Sequence, residues 1–346
     1  MQQGTAVYVF PGANTSRGYR SFFRDGLQGL ERVFILKGGP GCGKSTLIRK
    51  VGRLLQEKGH DVEYWQCSAD PDSLDGVIVP ELSAAVVDGT PPHVVEPVCP
   101  GAVEELVDLG VCWDSAELRR HKGEIVELQR QIGDRCARCR AGLEQAGLLL
   151  ERSRENVEDT ATLAQESDLL AQVFGAGTHR QRHLFASSVT PEGWVSLLEP
   201  LSRRARRRFI LQGPFGGGKE RLLAAVAEMA EQRRLNAELY HHPLAVEELQ
   251  LVWLPELATA VVGTEEPLPE RPGDVVISCG QPLDPARALA DSRRVRELTD
   301  AGGRELTDAK FLHDRLEDCY RQAMDYRRAD EIGDGLLRRL LELERE

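Results

Sequence analysis

The sequence predicts an α/β protein of two tandem domains, each a three-layer αβα arrangement around a mainly parallel sheet and each followed by a helical arm. Two observations predict this class. The chain repeats itself at a fixed offset, and each copy alternates short apolar runs with amphipathic stretches. Strands that alternate with helices are typical of a parallel sheet covered by helices. A chain of 346 residues is long enough for two such domains.

The internal repeat has an offset of 175 residues and no gap. RVFILKGGPGCGKSTLIRKV (32–51) aligns with RRFILQGPFGGGKERLLAAV (207–226), and LDGVIVPELSAAVVDGT (74–90) aligns with LQLVWLPELATAVVGTE (249–265). Upstream, VFPGANTSRGY (9–19) aligns with LFASSVTPEGW (184–194), which pairs Thr15 with Thr190 and Gly18 with Gly193. We expect these matched residues to shape a turn in each copy.

The elements of each copy follow from its apolar pattern. RVFILK (32–37) is a predicted strand, and a glycine loop leads from it into a helix that begins at Lys44 and ends at Gly59. DVEYWQC (61–67) and AAVVD (84–88) are further predicted strands. The polar segment after each copy repeats apolar residues at spacings of three and four, which predicts a pair of helices. The predicted boundaries are 1–114 for the first domain, 115–180 for its arm, 181–285 for the second domain and 286–346 for the C-terminal arm.

The loop GGPGCGKST (38–46) fits the phosphate-binding pattern G-x-x-x-x-G-K-[ST], the Walker A motif, in the strand-loop-helix context that the motif requires. Its glycines allow backbone N–H groups to surround phosphate oxygens at a helix N-terminus. Lys44 is expected to reach the β- and γ-phosphates, and Ser45 to bind Mg²⁺. The predicted nucleotide-binding residues are Gly38, Gly39, Pro40, Gly41, Cys42, Gly43, Lys44, Ser45 and Thr46.

A magnesium site also needs an acid at the end of a neighbouring strand. Asp88 follows the apolar run AAVV, so it is a predicted metal ligand and, with Lys44, a predicted catalytic residue. His93 is a candidate nucleotide contact, although a His next to two prolines is more typical of the surface. Three acids of SADPDSLDG (68–76) are alternatives that would orient a water, hold a substrate hydroxyl or stay in solvent, namely Asp70, Asp72 and Asp75.

The second loop, GPFGGGKE (213–220), keeps most of the pattern and lacks its hydroxyl. Its defining positions are Gly213, Gly218, Lys219 and Glu220. At the same offset Asp88 becomes Gly263, so both predicted magnesium contacts are lost together. A carboxylate would repel a triphosphate, whereas at a helix N-terminus it suits a loop that holds none. The sequence therefore predicts one nucleotide site and one degenerate loop.

With these motifs the chain resembles the P-loop NTPase superfamily and, more narrowly, a family of tandem-duplicated bacterial proteins described as ATPases or nucleotide-kinase-like. The likeness extends to VIVPELSAAVVDGTPPH (77–93), VWLPELATAVVGT (252–264) and the tail FLHDRLEDCYRQAMDY (311–326). It implies Mg²⁺-dependent ATP hydrolysis at the N-terminal copy and a regulatory or structural C-terminal copy. Two alternatives stay open: a small-molecule or nucleotide kinase, and a non-enzymatic nucleotide sensor that binds a partner protein through its helical arms.

Composition limits the partners and the compartment. A formal net charge of −11 argues against general nucleic-acid binding, which needs a basic surface. Because apolar runs of 18 residues and a signal-peptide start are both missing, we expect no membrane partner and a cytoplasmic location. Eight cysteines without a secretory signal are expected to be reduced. The pair Cys136 and Cys139 is expected to lie on a buried helix face rather than to bind zinc.

Overall fold

The computed structural model describes residues 3–173 and 180–345, and within them the chain forms two compact units. The first contains the described parts of Met1–Gly12, Phe23–Arg138 and Glu305–Glu346, and the second those of Ala13–Phe22 and Cys139–Arg304. These units differ from the four consecutive segments predicted from the sequence. Residues 139–173 of the first arm belong to the unit of the second copy, and residues 305–346 of the second arm belong to the unit of the first copy.

The chain up to the end of the first arm contains nine strands and five helices. In order they are β1 (Ala6–Val9), β2 (Gly12–Thr15), β3 (Gly18–Ser21), α1 (Phe23–Leu27), β4 (Arg32–Lys37), α2 (Lys44–Glu57), β5 (Val62–Gln66), β6 (Leu74–Val79), β7 (Ala84–Asp88), β8 (Glu104–Asp108), α3 (Ser115–Arg120), α4 (Lys122–Ser153), β9 (Val157–Glu158) and α5 (Leu163–Val173). These counts cover the described residues 3–173.

The described part of the second copy repeats the order of the first eight strands and the first two helices, whereas its arm, described up to residue 345, has a different set of elements. The elements are β10 (Gln181–Phe185), β11 (Ser187–Thr190), β12 (Gly193–Ser196), α6 (Leu198–Arg203), β13 (Arg207–Gln212), α7 (Lys219–Gln232), β14 (Ala237–His242), β15 (Ala245–Leu254), β16 (Thr259–Thr264), β17 (Val275–Ser278), β18 (Gln281–Pro282), α8 (Pro285–Arg321) and α9 (Tyr326–Glu342).

The two six-stranded sheets have the same topology. Their orders are β1-β5-β6-β7-β4-β8 and β10-β14-β15-β16-β13-β17. The third strand of each order, β6 or β15, is antiparallel to both neighbours, and the remaining pairings are parallel. The sheets are therefore mixed, and the prediction of a mainly parallel sheet is only partly right. A parallel connection needs a crossover of a dozen or more residues, and the segments on either side of β6 are too short for one.

The core of the first unit lies between the sheet and two helices. Helix α2 packs on one sheet face together with α9, the last helix of the chain. Tyr64 belongs to this cluster, so its neighbour Trp65 points to the opposite face. There Trp65 packs edge-on against Phe23 of the short helix α1, with ring centroids 4.8 Å apart. Members of the cluster include Phe34, Leu36, Leu47, Ile48, Val51, Leu55, Leu336, Leu337 and Leu340.

The second unit is packed in the same way around α7. Its core cluster combines α7 and the sheet with three residues from the end of the first arm, Ala161, Leu169 and Val173. In each unit, therefore, the arm that follows the other copy supplies part of the hydrophobic core.

The predicted turns are confirmed in both copies. β2 pairs with β3, and β11 pairs with β12. Thr15 Oγ1 donates to the Gly18 carbonyl, and Thr190 Oγ1 donates to the Gly193 carbonyl. Gly18 and Gly193 have φ angles of 86° and 92°, a left-handed conformation that favours glycine.

All eight cysteines are free thiols. Cys139 is buried as predicted, but Cys136 is exposed, so only one of the pair lies on the buried helix face. Among the described helices none has both the length and the apolar composition needed to cross a membrane.

Candidate functional site

The first glycine loop lies at the edge of the sheet where three segments meet. β4 and β7 are parallel and pair Leu36 with Asp88, so the loop after β4 and the Asp88 carboxylate reach the same edge. β6 runs the other way and begins at this edge. The backbone N–H of its first residue, Leu74, donates to Ser45 Oγ at 2.9 Å. The fold therefore brings the loop, the end of β7 and the start of β6 together.

Lys44 and Gly43 define the accessible part of this loop. Gly43 precedes α2 with φ 89°, and a Cβ added to it would meet no other segment of the described chain within 4 Å. Lys44 Nζ donates to the carbonyls of Gly38 and Gly39, both at 2.9 Å. The same nitrogen is 3.6 Å from Asp88 Oδ2. The lysine is thus held at the loop, next to the predicted acid.

Ser45 and Asp88 each retain acceptor capacity. A hydroxyl has two acceptor lone pairs, and Ser45 Oγ uses one for the Leu74 N–H. Asp88 Oδ1 accepts from the N–H and the hydroxyl of Thr90, at 2.9 and 2.6 Å. These bonds fix the carboxylate so that Oδ2 faces Lys44. One hydroxyl oxygen and one carboxylate oxygen are suited to Mg²⁺, which takes few protein ligands and keeps several waters.

Two other loop residues have neighbours that limit their roles. Cys42 is buried, with its Sγ 3.8 Å from Lys44 Nζ. Burial raises the pKa of this thiol, which disfavours its reactive thiolate form. Thr46 is exposed on the first turn of α2.

Asp75 reaches the site through a β-bulge. The pairing between β5 and β6 shifts from Trp65 with Gly76 to Gln66 with Leu74, so Asp75 is the extra residue. A bulge redirects a side chain, and here Asp75 is buried, with 4 % of the residue exposed. Burial raises the pKa of Asp75 to about 6; the interactions with His93 and Lys44 oppose this shift, and the negative charge of Asp88 adds to it.

His93 is buried next to both acids, whereas its position after two prolines suggested a surface residue. It is 5 % exposed. Its Nδ1 is 3.8 Å from Asp75 Oδ2, and its Nε2 is 4.0 Å from Asp88 Oδ1. The ring stacks on Phe23 with centroids 4.5 Å apart and planes inclined by 2°. His93 is therefore held between the two carboxylates.

The other two candidate acids lie away from this cluster. Asp70 is partly exposed and forms an ion pair with Lys310 at 3.4 Å. Asp72 is exposed, and its carbonyl accepts a hydrogen bond from Arg49. Of the three alternatives, Asp75 alone is buried beside Asp88 and His93.

The second loop has the same framework with different chemistry. Leu211 pairs with Gly263 just as Leu36 pairs with Asp88, so glycine occupies the position of the predicted metal ligand. Lys219 Nζ donates to the Pro214 carbonyl at 2.9 Å and to Glu220 Oε1 at 2.7 Å. This ion pair is buried. The charge of Lys219 is therefore neutralised by its own neighbour.

Other segments of the second unit cover this loop. A Cβ added to Gly218, the counterpart of Gly43, would collide with Asp159 Oδ1 and with Ala161. A Cβ on Gly213 would collide with the Cys279 carbonyl. The end of the first arm thus occupies the space that is accessible at Gly43 in the first loop, and the chain after β17 packs against the start of the second loop.

The first loop also has close contacts that the sequence did not suggest. Tyr326 Oη donates to the Gly41 carbonyl at 2.9 Å. A Cβ on Gly39 would lie 2.9 Å from Tyr320 and 3.1 Å from Trp113. The C-terminal arm therefore packs on the outer side of the loop. Tyr326 and Gly41 are 285 positions apart in the chain, so no local sequence pattern indicates their contact.

Comparison with known proteins gives one partial match. The family model described as Nephrocystin 3, N-terminal, matches residues 18–77, which are 60 of the 346 residues. The matched segment extends from β3 into β6 and includes the first glycine loop and α2. No curated protein and no solved structure matches the chain. The similarity concerns the part of the first copy that carries the intact loop.

Proposed function

We propose that the chain is a Mg²⁺-dependent P-loop ATPase with a single nucleotide site at the loop of residues 38–46. The contrast between the two loops carries the proposal. Both follow the same strand in the same register, but only the first combines an accessible Gly43 with the Ser45 hydroxyl and the Asp88 carboxylate. The second has Glu220 and Gly263 at these positions, and its Gly218 is covered.

Each group of the first loop has a defined role in this proposal. The loop N–H groups and the N-terminus of α2 bind the phosphates, since they present unpaired donors and a positive dipole end. Lys44 exchanges its bonds to the two loop carbonyls for the β- and γ-phosphates. Ser45 and Asp88 hold Mg²⁺, which neutralises charge on the phosphates. Positioning and charge neutralisation do most of the work in phosphoryl transfer.

The second copy is proposed to be structural or regulatory. Its loop already contains a carboxylate from Glu220 next to Lys219, and the Asp159 carboxylate lies at Gly218. Two anionic groups at a phosphate-binding loop would repel a triphosphate.

A turnover assay tests the proposal. ADP release from Mg-ATP by the purified chain, with no acceptor added, is the expected result, and Lys44→Ala is expected to abolish it. Lys50→Ala, which changes an exposed ion pair with Asp334, is the matched control. ADP that appears only when an acceptor is added would identify a kinase instead. Nucleotide binding without turnover would identify a sensor whose helical arms contact a partner protein.

A further inference from the structure

Asp75 is a buried carboxylate at a bulge position where the second copy has an uncharged side chain. The second sheet has the same bulge, because β14 and β15 pair Tyr240 with Leu251 and His241 with Leu249, and Gln250 is the extra residue. Gln250 is also buried. An amide therefore serves this bulge as well as a carboxylate does. The buried charge in the first unit needs another explanation, since burying a carboxylate costs free energy.

The groups that face Asp75 come from several segments around the first glycine loop. His93, Asp88 and Lys44 all act on it electrostatically, and the Cys67 thiol is hydrogen-bonded to it. His93 Nδ1 is 3.8 Å from Asp75 Oδ2. Asp88 Oδ1 is already engaged by Thr90, and its Oδ2 faces Lys44. The site thus has two carboxylates with different surroundings. The Asp88 carboxylate faces Lys44, where Mg²⁺ is proposed to bind, and the Asp75 carboxylate faces His93.

We infer that Asp75 is a catalytic residue that positions the attacking oxygen for transfer of the γ-phosphoryl group, and that His93 is a positioning residue for Asp75. This inference rests on the proposed function. The oxygen of a water forms a bond to the γ-phosphorus, and the bond from that phosphorus to the β,γ-bridging oxygen breaks, with its electron pair leaving on ADP. The Asp75 carboxylate accepts the hydrogen bond of the attacking water and then its proton. A positioned group of this kind contributes roughly 10²- to 10⁴-fold to a rate.

The test compares Asp75→Asn and Asp75→Gln with the wild type. The second variant introduces the side chain that the other copy carries at the same bulge, so it is compatible with this backbone. We expect kcat for ATP hydrolysis to fall by about 100-fold or more in both, while KM and the Kd for a fluorescent ATP analogue stay within about threefold of the wild type. His93→Gln should lower kcat less. Asp72→Asn, which removes a nearby exposed acid, should change neither constant.

Two results would overturn the inference. One is a kcat within threefold of the wild type in both Asp75 variants. The other is a parallel loss of ATP binding, which would make Asp75 a binding or structural residue. Failure of the proposed function itself looks different, because it is seen in the wild type: the wild type would then bind no ATP, or would bind ATP and release no ADP in the absence of an acceptor.

Discussion

Single residues give the two loops different charges and different ligand groups. Lys44 donates to two loop carbonyls and keeps Asp88 at 3.6 Å, so a phosphate can compete for it. Lys219 forms a buried ion pair with Glu220 at 2.7 Å, so its charge is already compensated. The change from the Ser45 hydroxyl to the Glu220 carboxylate thus removes a proposed metal ligand and neutralises the lysine at the same time.

Glu220→Ser restores the motif of the second loop but should not create a nucleotide site. Gly263 still supplies no carboxylate, and Asp159 still covers Gly218. The variant should instead be destabilised by about 3–5 kcal/mol, because Lys219 loses its buried partner. Denaturant unfolding together with nucleotide titration checks this. A second equivalent of bound nucleotide in Glu220→Ser would contradict the account.

His241 should make the stability of the second unit depend on pH. Burial lowers the pKa of this ring to about 4 from 6.5; the Val246 carbonyl opposes the shift, and His183 adds to it. The unfolded chain therefore binds a proton more readily, so the stabilising contribution is complete above pH 6.5 and is lost as the pH falls towards 4. One pKa unit corresponds to about 1.4 kcal/mol, so the change of the His241 pKa from 6.5 to about 4 corresponds to a contribution of about 3 kcal/mol.

Urea unfolding at pH 7.5, 5.5 and 4.5 measures that contribution. His241→Gln should reduce the loss of stability between pH 6.5 and 4 without removing it, because burial also lowers the pKa of the neighbouring His242, to about 3. His121→Gln, at the junction of α3 and α4 in the first unit, should leave it unchanged. An equally steep pH dependence in His241→Gln and the wild type would show that other groups cause it.

The sequence indicates part of the site at this scale. Strand, loop and helix stand next to one another in the chain, so the neighbourhood of Lys44 and Ser45 follows from local pattern. Asp88 has no counterpart in the second copy, and this indicated its proposed role as a metal ligand. Asp75 could not be distinguished from Asp70 and Asp72, because its burial depends on a bulge. A bulge leaves no mark in a pattern of apolar and polar residues.

At the scale of elements, the antiparallel strand β6 is what brings Asp75 and Leu74 to the loop. Had β6 been parallel to β7, its first residues would lie at the opposite edge of the sheet. The sequence contained the relevant information in its short connections, since seven residues separate β5 from β6 and four residues separate β6 from β7. Such connections allow antiparallel neighbours and exclude a crossover helix.

Helix α9 should contribute to the stability of the first unit although it is the last helix of the chain. Leu336 is fully buried in the core cluster with α2 and the sheet. Leu336→Ala should lower the free energy of unfolding by about 2–5 kcal/mol. Val111→Ala, at an exposed apolar position of the same unit, is the control and should change it little. A thermal unfolding curve of Leu336→Ala that coincides with the wild type would contradict this packing.

At the scale of the whole molecule, the chain contains the same fold in two copies, and each copy is packed against part of the arm that follows the other copy. The repeat at offset 175 follows directly from the sequence, and the two sheets share one strand order. The exchange does not follow from it, because the arms are amphipathic along their length and periodicity does not say which core they cover. Leu336 of the second arm lies in the first core, and Leu169 of the first arm lies in the second core.

Nucleotide titration with stoichiometry tests the central claim, a single nucleotide site at the first loop, most directly. Isothermal titration of the wild type with Mg-ADP or a non-hydrolysable ATP analogue should give one equivalent per chain. Lys44→Ala should abolish binding. Lys219→Ala, and Lys219→Met combined with Glu220→Gln to keep the buried pair uncharged, should leave the stoichiometry and Kd close to those of the wild type. Two equivalents in the wild type, or equal losses from the Lys44 and Lys219 variants, would contradict the account.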